Sequence, residues 1–500
     1  MYRHTPFLCM SRPHTLLDWL LIAFLLLFLP ALLVFTRHWG YDDPYITYRY
    51  AENLRVGLGF VYNPGQRILS TTTPLWTLLL AVLRNPWLDM PVLANALSAL
   101  SAAAGALGLF TLARRWRTPL AGWGVLAVYP LFPLLLSTTG SETPLYLALG
   151  IWAVVAYAWE RYTWSGLLIT LTTLARPDGI LLAGVLGADY LWGWWRSRSV
   201  HPAERESVPR RIPWGAAAAL GIPLALWGAF SLWYFGNPLP VTLAAKQAQG
   251  RMAISKHFAA GLGRVLGWYN HYPYVLLAVL ALAGVLFLWR ARSRWTLFVA
   301  WPVLYFAAYT VLGVSSYFWY YTPLVPGFVA LAALGGEALW RLAVSWRYRV
   351  VIPVLLALAV LPWMVRALTL MPQHTDKRLS AYRAAGVWLR ENTPPDASVG
   401  MLEVGIIGYY ARRTVIDFAG LLQPDVAARM RAETTYDDTA LWALRRYHPD
   451  YVLLHDGAFP QVTAETQRFC QAVRHFRGAQ YGYNADLTVY ACHWRLTPDT

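Results

Sequence analysis

Apolar residues run in long unbroken blocks through the first three quarters of the chain and in short interrupted runs after it. A helix needs about 20 apolar residues to cross roughly 30 Å of hydrocarbon. Blocks of that kind predict spans at 16–36, 90–113, 118–137, 143–161, 212–235, 274–289, 295–313, 321–343 and 350–370. A further block is cut by Arg176-Pro177-Asp178-Gly179. The residue before a proline is biased away from helix, so this block reads as two short crossings, 163–175 and 178–195. The segment 72–88 is apolar but short, which leaves it as either a crossing or a re-entrant loop. Beyond residue 370 the apolar runs shrink to strand length at 398–402, 414–418, 451–454 and 487–490. Amphipathic helical patterns at 380–390 and 439–447 lie between them. The pattern therefore predicts a polytopic α-helical membrane region, 1–370, with about 11 transmembrane helices, followed by a C-terminal extracytoplasmic α/β domain, 371–500. A stretch of about 130 residues is long enough to carry its own core.

Composition sharpens this picture. The 500 residues are 57% hydrophobic and only 14% charged, against about 25% charged in soluble chains. Disorder, a fibrous repeat and an ordinary soluble enzyme are excluded. Of 42 Lys and Arg and 26 Asp and Glu, the last 130 residues hold 14 of each, so the net charge of +16 belongs to residues 1–370. The basic residues fall in short loops and not along one stripe, which argues against a nucleic-acid partner and for the positive-inside pattern. Arg114-Arg115-Trp116-Arg117, 196–211, Arg290-Ala291-Arg292-Ser293-Arg294 and 341–349 read as cytoplasmic, and Arg3 and Arg12 place the N-terminus inside. No cleavable signal peptide is evident, since the first apolar run is too long and no small-residue cleavage site follows it. The expected location is the plasma membrane, with the C-terminal domain outside.

That topology gives the outer face 37–71, 138–142, the break at Arg176, 236–272, 314–320 and everything after 370. The carboxylates Asp42, Asp43, Glu52, Glu142 and Asp178 gather there, whereas Asp18, Glu160, Glu204 and Glu206 fall near the inner side and Glu337 part-way along a helix. Of three cysteines, Cys9 is expected inside. Cys470 and Cys492 lie outside, where a disulfide persists; a bridge worth about 3 kcal/mol and two buried thiols both remain open.

The sharpest chemical signal is the pair Asp42-Asp43, a few residues past a membrane exit in the first external loop 37–71. Adjacent residues on extended backbone point apart, so the two acids are expected to do different jobs. One can take a proton from an acceptor hydroxyl, helped by a low dielectric that raises its pKa. The competing reading is a solvated turn with an Asp capping a helix from Pro44. The segment 45–56 reads as an amphipathic helix lying in the membrane interface, with Trp39, Tyr45 and Tyr48 as aromatic anchors.

The runs Asp42-Asp43-Pro44-Tyr45-Ile46-Thr47-Tyr48-Arg49-Tyr50-Ala51-Glu52-Asn53 and Gly57-Leu58-Gly59-Phe60-Val61-Tyr62-Asn63-Pro64-Gly65-Gln66-Arg67 resemble the first external loop of GT-C superfamily glycosyltransferases. The likeness is greatest to the branch with the actinobacterial cell-wall terminal arabinofuranosyltransferases. It continues through Gly140-Ser141-Glu142-Thr143-Pro144, Ala175-Arg176-Pro177-Asp178-Gly179, Pro238-Leu239-Pro240 with Thr242 and Lys246, Ile407-Gly408-Tyr409-Tyr410, and Val415-Ile416-Asp417-Phe418-Ala419-Gly420-Leu421. The resemblance implies a sugar donor on a polyprenyl phosphate, an acidic base in the first external loop, and an inverting transfer to an external glycan, lipid or protein. A cell-envelope glycan is the acceptor it favours. Where that branch commonly has Tyr-Thr-Asn-Pro, this chain has Ser70-Thr71-Thr72-Thr73-Pro74-Leu75-Trp76. The amide is missing, so the likeness does not carry over which sugar, hexosyl or pentosyl, is moved.

A departing lipid phosphate needs cations, and Arg176 and Lys246 are the candidates, with Arg251 and Lys256 in the same loop as Lys246. Arg176 can instead be the partner of Asp178 or a snorkelling side chain, and Lys246 a contact to anionic lipid. Asp42 is preferred over Asp43 as base because it lies nearer the membrane exit. Glu142, Asp178, Tyr45 and Tyr320 are the candidates for holding sugar or acceptor; Glu142 also suits the first turn of a helix. Tyr317, Trp319, Tyr320 and Tyr321 suit sugar stacking or an interfacial belt. His257 and His271 have no partners at metal spacing, and no nucleotide loop or Cys/His constellation occurs. The sequence assigns no cofactor; a divalent cation at the Asp pair is compatible with it without being defined by it. The alternative function is a transporter or lipid flippase with a glycan-binding external domain. Repeated halves with paired helix breaks would mark it, and only one clear break is present.

Overall fold

The computed structural model describes residues 16–199, 213–343 and 345–494. Arg3, Cys9, Arg12, Glu204, Glu206 and most of the basic stretch 196–211 lie outside the described residues. The expected apolar blocks form helices, among them Leu16–Thr36, Met90–Arg115, Thr143–Ala158, Trp214–Phe235, Tyr274–Ala291, Trp295–Leu312 and Trp346–Leu370. Among the described residues, six helices are long and apolar enough to cross a membrane. Other expected crossings are shorter. Thr143–Ala158 has 16 residues, about 24 Å of rise. Pro119–Val128 is followed by a tighter turn and the four-residue helix Pro133–Leu136. Segment 72–88 holds one helix of 10 residues, Pro74–Leu83, started by its proline.

The cut at Arg176 is real. Helix Tyr162–Ala175 ends in an extended Arg176, a single turn Pro177–Gly179 follows, and helix Ile180–Ser199 begins at once. Proline fixes this break, because it has no amide to continue the ladder.

After residue 370 the chain forms five strands: β1 Ser398–Met401, β2 Thr414–Asp417, β3 Tyr451–His455, β4 Cys470–Phe476 and β5 Leu487–Cys492. Their order is β2-β1-β3-β5-β4. The first three are parallel, β5 runs antiparallel to β3, and β4 antiparallel to β5. Four of the strands are those the apolar runs predict. The fifth, β4, has exposed residues at every position between its buried ends, so it carries no apolar alternation to read. Cys470 pairs with Cys492 across the β4–β5 ladder and the two are bonded.

The loop 37–71 is packed into the protein and is not a free-standing amphipathic helix. Helix Pro44–Arg55 is buried from Pro44 to Ala51, and its aromatic side chains join one apolar cluster with Val399, Met401, Ile406 and Ile407. Tyr45 and Tyr48 are therefore core residues, not membrane anchors: Tyr45 packs on Tyr48 at 4.9 Å and on Tyr409 at 5.6 Å. Trp39 is held by an indole bond of 3.0 Å to the Ser137 carbonyl. The physical reason is Arg49. It is buried without a carboxylate and donates to the carbonyls of Tyr62 (2.9 Å), Gly408 (2.5 Å) and Arg413 (2.5 Å). A guanidinium engaged in this way must be enclosed by the backbone it binds, so the loop is riveted to the C-terminal region. Asn63 adds a second rivet by exchanging two bonds of 2.9 Å with the Val415 backbone, in the manner of a strand partner.

Candidate active site

Asp43 is the last residue before helix Pro44–Arg55, and its side chain makes no capping hydrogen bond. Asp43 has helical dihedrals (φ −55°, ψ −43°) where a capping residue is extended, so its carboxylate is turned away from the first-turn amides. Asp42 does cap a helix, but a distant one. Its oxygens accept from the Gly405 amide at 3.1 Å and the Ile406 amide at 2.8 Å, at the start of helix Ile406–Ala411. A Cβ on Gly405 would lie 2.0 Å from the Asp42 carbonyl oxygen, so only glycine permits this approach. The two neighbours thus divide their work, as the extended-backbone argument expects. The preference for Asp42 on grounds of membrane proximity is answered by geometry of another kind, since its oxygens are already engaged.

Two cavities, each about 330 Å³, meet at this point. One lies toward the membrane helices, lined by Glu142, Arg176, Asp178, Tyr309, Ser70 and Thr242 among others. The other lies toward the C-terminal region, lined by Tyr41, Asp42, Tyr317, Arg378, Glu403 and Tyr436 among others. They share a strip of wall formed by Asp43, Ile46, Lys246, Trp319 and Leu421. Burial pushes the Asp43 carboxyl above its ordinary range, and the charges of Lys246 and Arg176 pull it partly back. Burial likewise pushes Asp42 up to about 7, reinforced by Glu403 and opposed by the Ile406 amide and Arg378.

Arg176 is 5% exposed and fully engaged. It pairs with Asp178 at 2.9 Å and with Glu142 at 3.4 Å, and donates to the Tyr309 hydroxyl at 3.0 Å. Tyr309 in turn donates to Asp178 at 2.6 Å. The guanidinium is therefore committed to two carboxylates, the partner role that competed with phosphate binding. Lys246 differs. It comes from helix Val241–Arg251 and sits over the Tyr317 ring at 4.0 Å. Among the described residues it has no carboxylate within ion-pair distance. Burial works against its charge, but Tyr317, Tyr320 and Asp43 hold its pKa above the ordinary value. Arg251 and Lys256 line neither cavity.

Of the remaining candidates, Glu142, Asp178 and Tyr320 line the membrane-side cavity, and Tyr45 lines neither. Trp319 lines both, stacked on Tyr317 at 4.6 Å, whereas Tyr321 is buried against Phe258 at 4.7 Å and belongs to no surface belt. Asp417 accepts from the Ala419 and Leu422 amides at 2.7 and 2.8 Å, which shapes the loop that presents Leu421. The sequence reading missed Glu403, whose signal is only a lone acid after a strand. It also missed the hydroxyls of Thr47, Thr71 and Thr73, which lie within 3.0–3.3 Å of one another on the cavity wall.

Comparison with solved structures decides the fold. ArnT from Cupriavidus metallidurans, solved bound to undecaprenyl phosphate, superposes with a TM-score of 0.57 over 95% of this chain and 98% of its own, at 14% identity. The archaeal oligosaccharyltransferase AglB from Archaeoglobus fulgidus, solved with an inhibitory peptide and a dolichol-phosphate, gives 0.55 over 87% and 69%, at 13% identity. The fold is GT-C. The chain is also 28% identical over 297 residues to a terminal beta-(1->2)-arabinofuranosyltransferase of Corynebacterium glutamicum. That match spans 52% of this chain and 40% of the relative's length. Residues 373–491 match a family described as a domain of unknown function (DUF8728). In this GT-C chain the acids singled out by sequence thus converge on one place, from the first loop, from the start of helix Thr143–Ala158 and from the break after Ala175.

Proposed function

We propose that this protein is an integral-membrane glycosyltransferase that moves a sugar from a polyprenyl-phosphate donor to a hydroxyl of an extracytoplasmic acceptor, with Asp43 as general base. The observation that carries the reading is the meeting of two cavities at Asp43 and Lys246. A base must touch the acceptor hydroxyl and the cation must touch the leaving phosphate. A residue shared by two cavities meets both conditions. The membrane-side cavity takes the lipid-borne sugar, and the C-terminal cavity takes the acceptor. Asp43 removes the acceptor proton, the acceptor oxygen bonds to the anomeric carbon from one face, and the carbon–phosphate oxygen bond breaks on the other. The anomeric centre inverts, and the lipid phosphate leaves beside Lys246. The ligands named for the two superposed structures, undecaprenyl phosphate and dolichol-phosphate, are consistent with such a donor. A cell-envelope glycan is the acceptor we favour.

The test is transfer by the purified full chain in lipid nanodiscs, offered a panel of polyprenyl-phosphate sugars and isolated envelope glycan. Transfer that disappears in Asp43→Asn is the expected result. Wild-type rates in Asp43→Asn would remove the assignment. Gradient-driven movement of lipid-linked sugar without transfer would support the transporter instead.

A further inference from the structure

Besides the Arg176 cluster, the lining of the membrane-side cavity is rich in hydroxyls. Ser70, Thr71, Thr72 and Thr73 come from the segment before helix Pro74–Leu83, Thr47 from helix Pro44–Arg55 and Thr242 from helix Val241–Arg251. Two backbone constraints hold these segments together. The Val241 amide donates to the Leu69 carbonyl at 3.0 Å. The Tyr50 hydroxyl receives the Ser70 amide at 3.0 Å and donates to the Ile68 carbonyl at 2.5 Å. Ser70 and Thr242 therefore stand one residue beyond a shared hydrogen bond, on adjoining strips of the same wall.

The Thr242 hydroxyl has no partner, and the Ser70 hydroxyl has only the Tyr50 hydroxyl beside it, outside ordinary hydrogen-bond geometry. Ser70 is 4% and Thr242 8% exposed, and neither side-chain oxygen has a hydrogen bond. Buried polar groups are nearly always satisfied, and an unsatisfied one costs about 1–3 kcal/mol. Two on one cavity wall point to a ligand that satisfies them. A step between staggered rotamers is all a Ser or Thr needs to re-aim its oxygen. Beside them, Thr47, Thr71 and Thr73 bond to one another at 3.2, 3.3 and 3.0 Å. Their protons serve that triangle, so what they offer a ligand is spare lone pairs.

We propose that Ser70 and Thr242, with the Thr47–Thr71–Thr73 triangle, form a specificity subsite that reads the hydroxyls of an uncharged sugar ring on the donor. The proposal rests on the reading of this cavity as the donor site. A sugar hydroxyl both donates and accepts, which matches a wall offering free donors at two positions and lone pairs at three. A uronic acid would add a carboxylate to a cavity that already holds Asp43, Glu142 and Asp178 and whose unpaired cation, Lys246, this reading gives to the phosphate. Glu142 and Asp178 are both joined to Arg176, so the carboxylate left to meet an amino sugar is Asp43, whose role in this reading is to take the acceptor proton.

The experiment compares wild type with Ser70→Ala and Thr242→Val, and with Thr242→Ser as the conservative control. Each of the first two is expected to raise the donor KM about 2- to 12-fold, the range of one neutral hydrogen bond, with kcat little changed. Thermal stability without donor stays equal or rises, because an unsatisfied buried group is removed. A hydroxyl that merely supports the fold would instead lower stability and leave KM alone, and that outcome overturns the proposal. Binding is also read without transfer, as the thermal shift caused by a polyprenyl-phosphate neutral sugar over the same lipid phosphate without sugar. A sugar-dependent shift lost in the double variant upholds the subsite even where no acceptor is found. Equal shifts with and without the sugar, or tighter binding of a uronic or amino sugar, overturn it. Failure of the broader reading looks different: Asp43→Asn would then leave transfer intact.

Discussion

Asp42 and Asp43 are neighbours whose carboxylates face different partners. Asp42 holds the Gly405 and Ile406 amides at 3.1 and 2.8 Å, while Asp43 makes no capping bond and lines both cavities beside Lys246. One acid fastens the C-terminal region to the first loop, and the other is free for chemistry.

Substitution should separate these roles. Asp43→Asn is expected to lower transfer by about 10²- to 10⁴-fold, the usual contribution of a general base, with unchanged thermal stability. Asp42→Ala leaves two buried amides unpaired and should cost about 1–3 kcal/mol each, seen as a lower unfolding midpoint. Equal effects of the two variants on rate alone would contradict the division.

The pH dependence follows from the direction of the shifts. Asp43 must be ionised to act, and burial raises its pKa, so the acid limb of kcat/KM should lie above the ordinary carboxylate value. Lys246 pulls that pKa down, so Lys246→Met should move the limb to higher pH. A limb that stays in place would show that Asp43 is not the titrating base.

Stability should show an opposite trend. Asp42 rises from 3.8 to about 7 on folding, so between those values the folded chain holds a proton that the unfolded chain has released. Its contribution is full below the unfolded value and is lost as pH rises through about 7. Asp417, raised by burial to about 6, adds in the same sense. The thermal midpoint should therefore fall between the unfolded value of 3.8 and about 7, level off above it, and fall less in Asp42→Asn; this is read by thermal unfolding across buffers.

The two cations should differ as sharply as the two acids. Arg176→Met leaves Glu142 and Asp178 buried without their partner, a loss of about 3–5 kcal/mol, and should reduce the yield of folded protein. Lys246→Met breaks no ion pair and should keep the unfolding midpoint while weakening binding of polyprenyl phosphate by at least about tenfold, measured by titration in nanodiscs.

Seating of the C-terminal region depends on Gly405. A Cβ there would meet Asp42 backbone oxygen at 2.0 Å, so Gly405→Ala should unseat the region from the first loop. Faster limited proteolysis after residue 373 and loss of transfer are the expected readouts, with the membrane helices still inserted.

Much of this arrangement was legible in the chain. Long apolar blocks marked the helices, Pro177 marked the break, and four apolar runs marked strands, because burial and proline geometry are local properties of sequence. The acids Asp43, Glu142 and Asp178 could be picked out since carboxylates beside membrane exits are costly and few. What the sequence did not carry was pairing. Nothing in the string joins Arg176 to Glu142, or Asp42 to Gly405, across separations of 34 and 363 residues. The burial of helix Pro44–Arg55 was hidden for the same reason: an amphipathic helix offers the same face to a lipid interface and to a folded domain.

The sequence by itself determined a helical protein with apolar blocks of membrane-spanning length and an α/β region after the last of them, and placed a pair of acids in the loop after the first helix. Only the tertiary structure decided which acid is free, which cation is unpaired, and that two cavities share one wall. Apolar periodicity is written along the chain, but the availability of a charged group depends on who its neighbours are, and folding alone selects them.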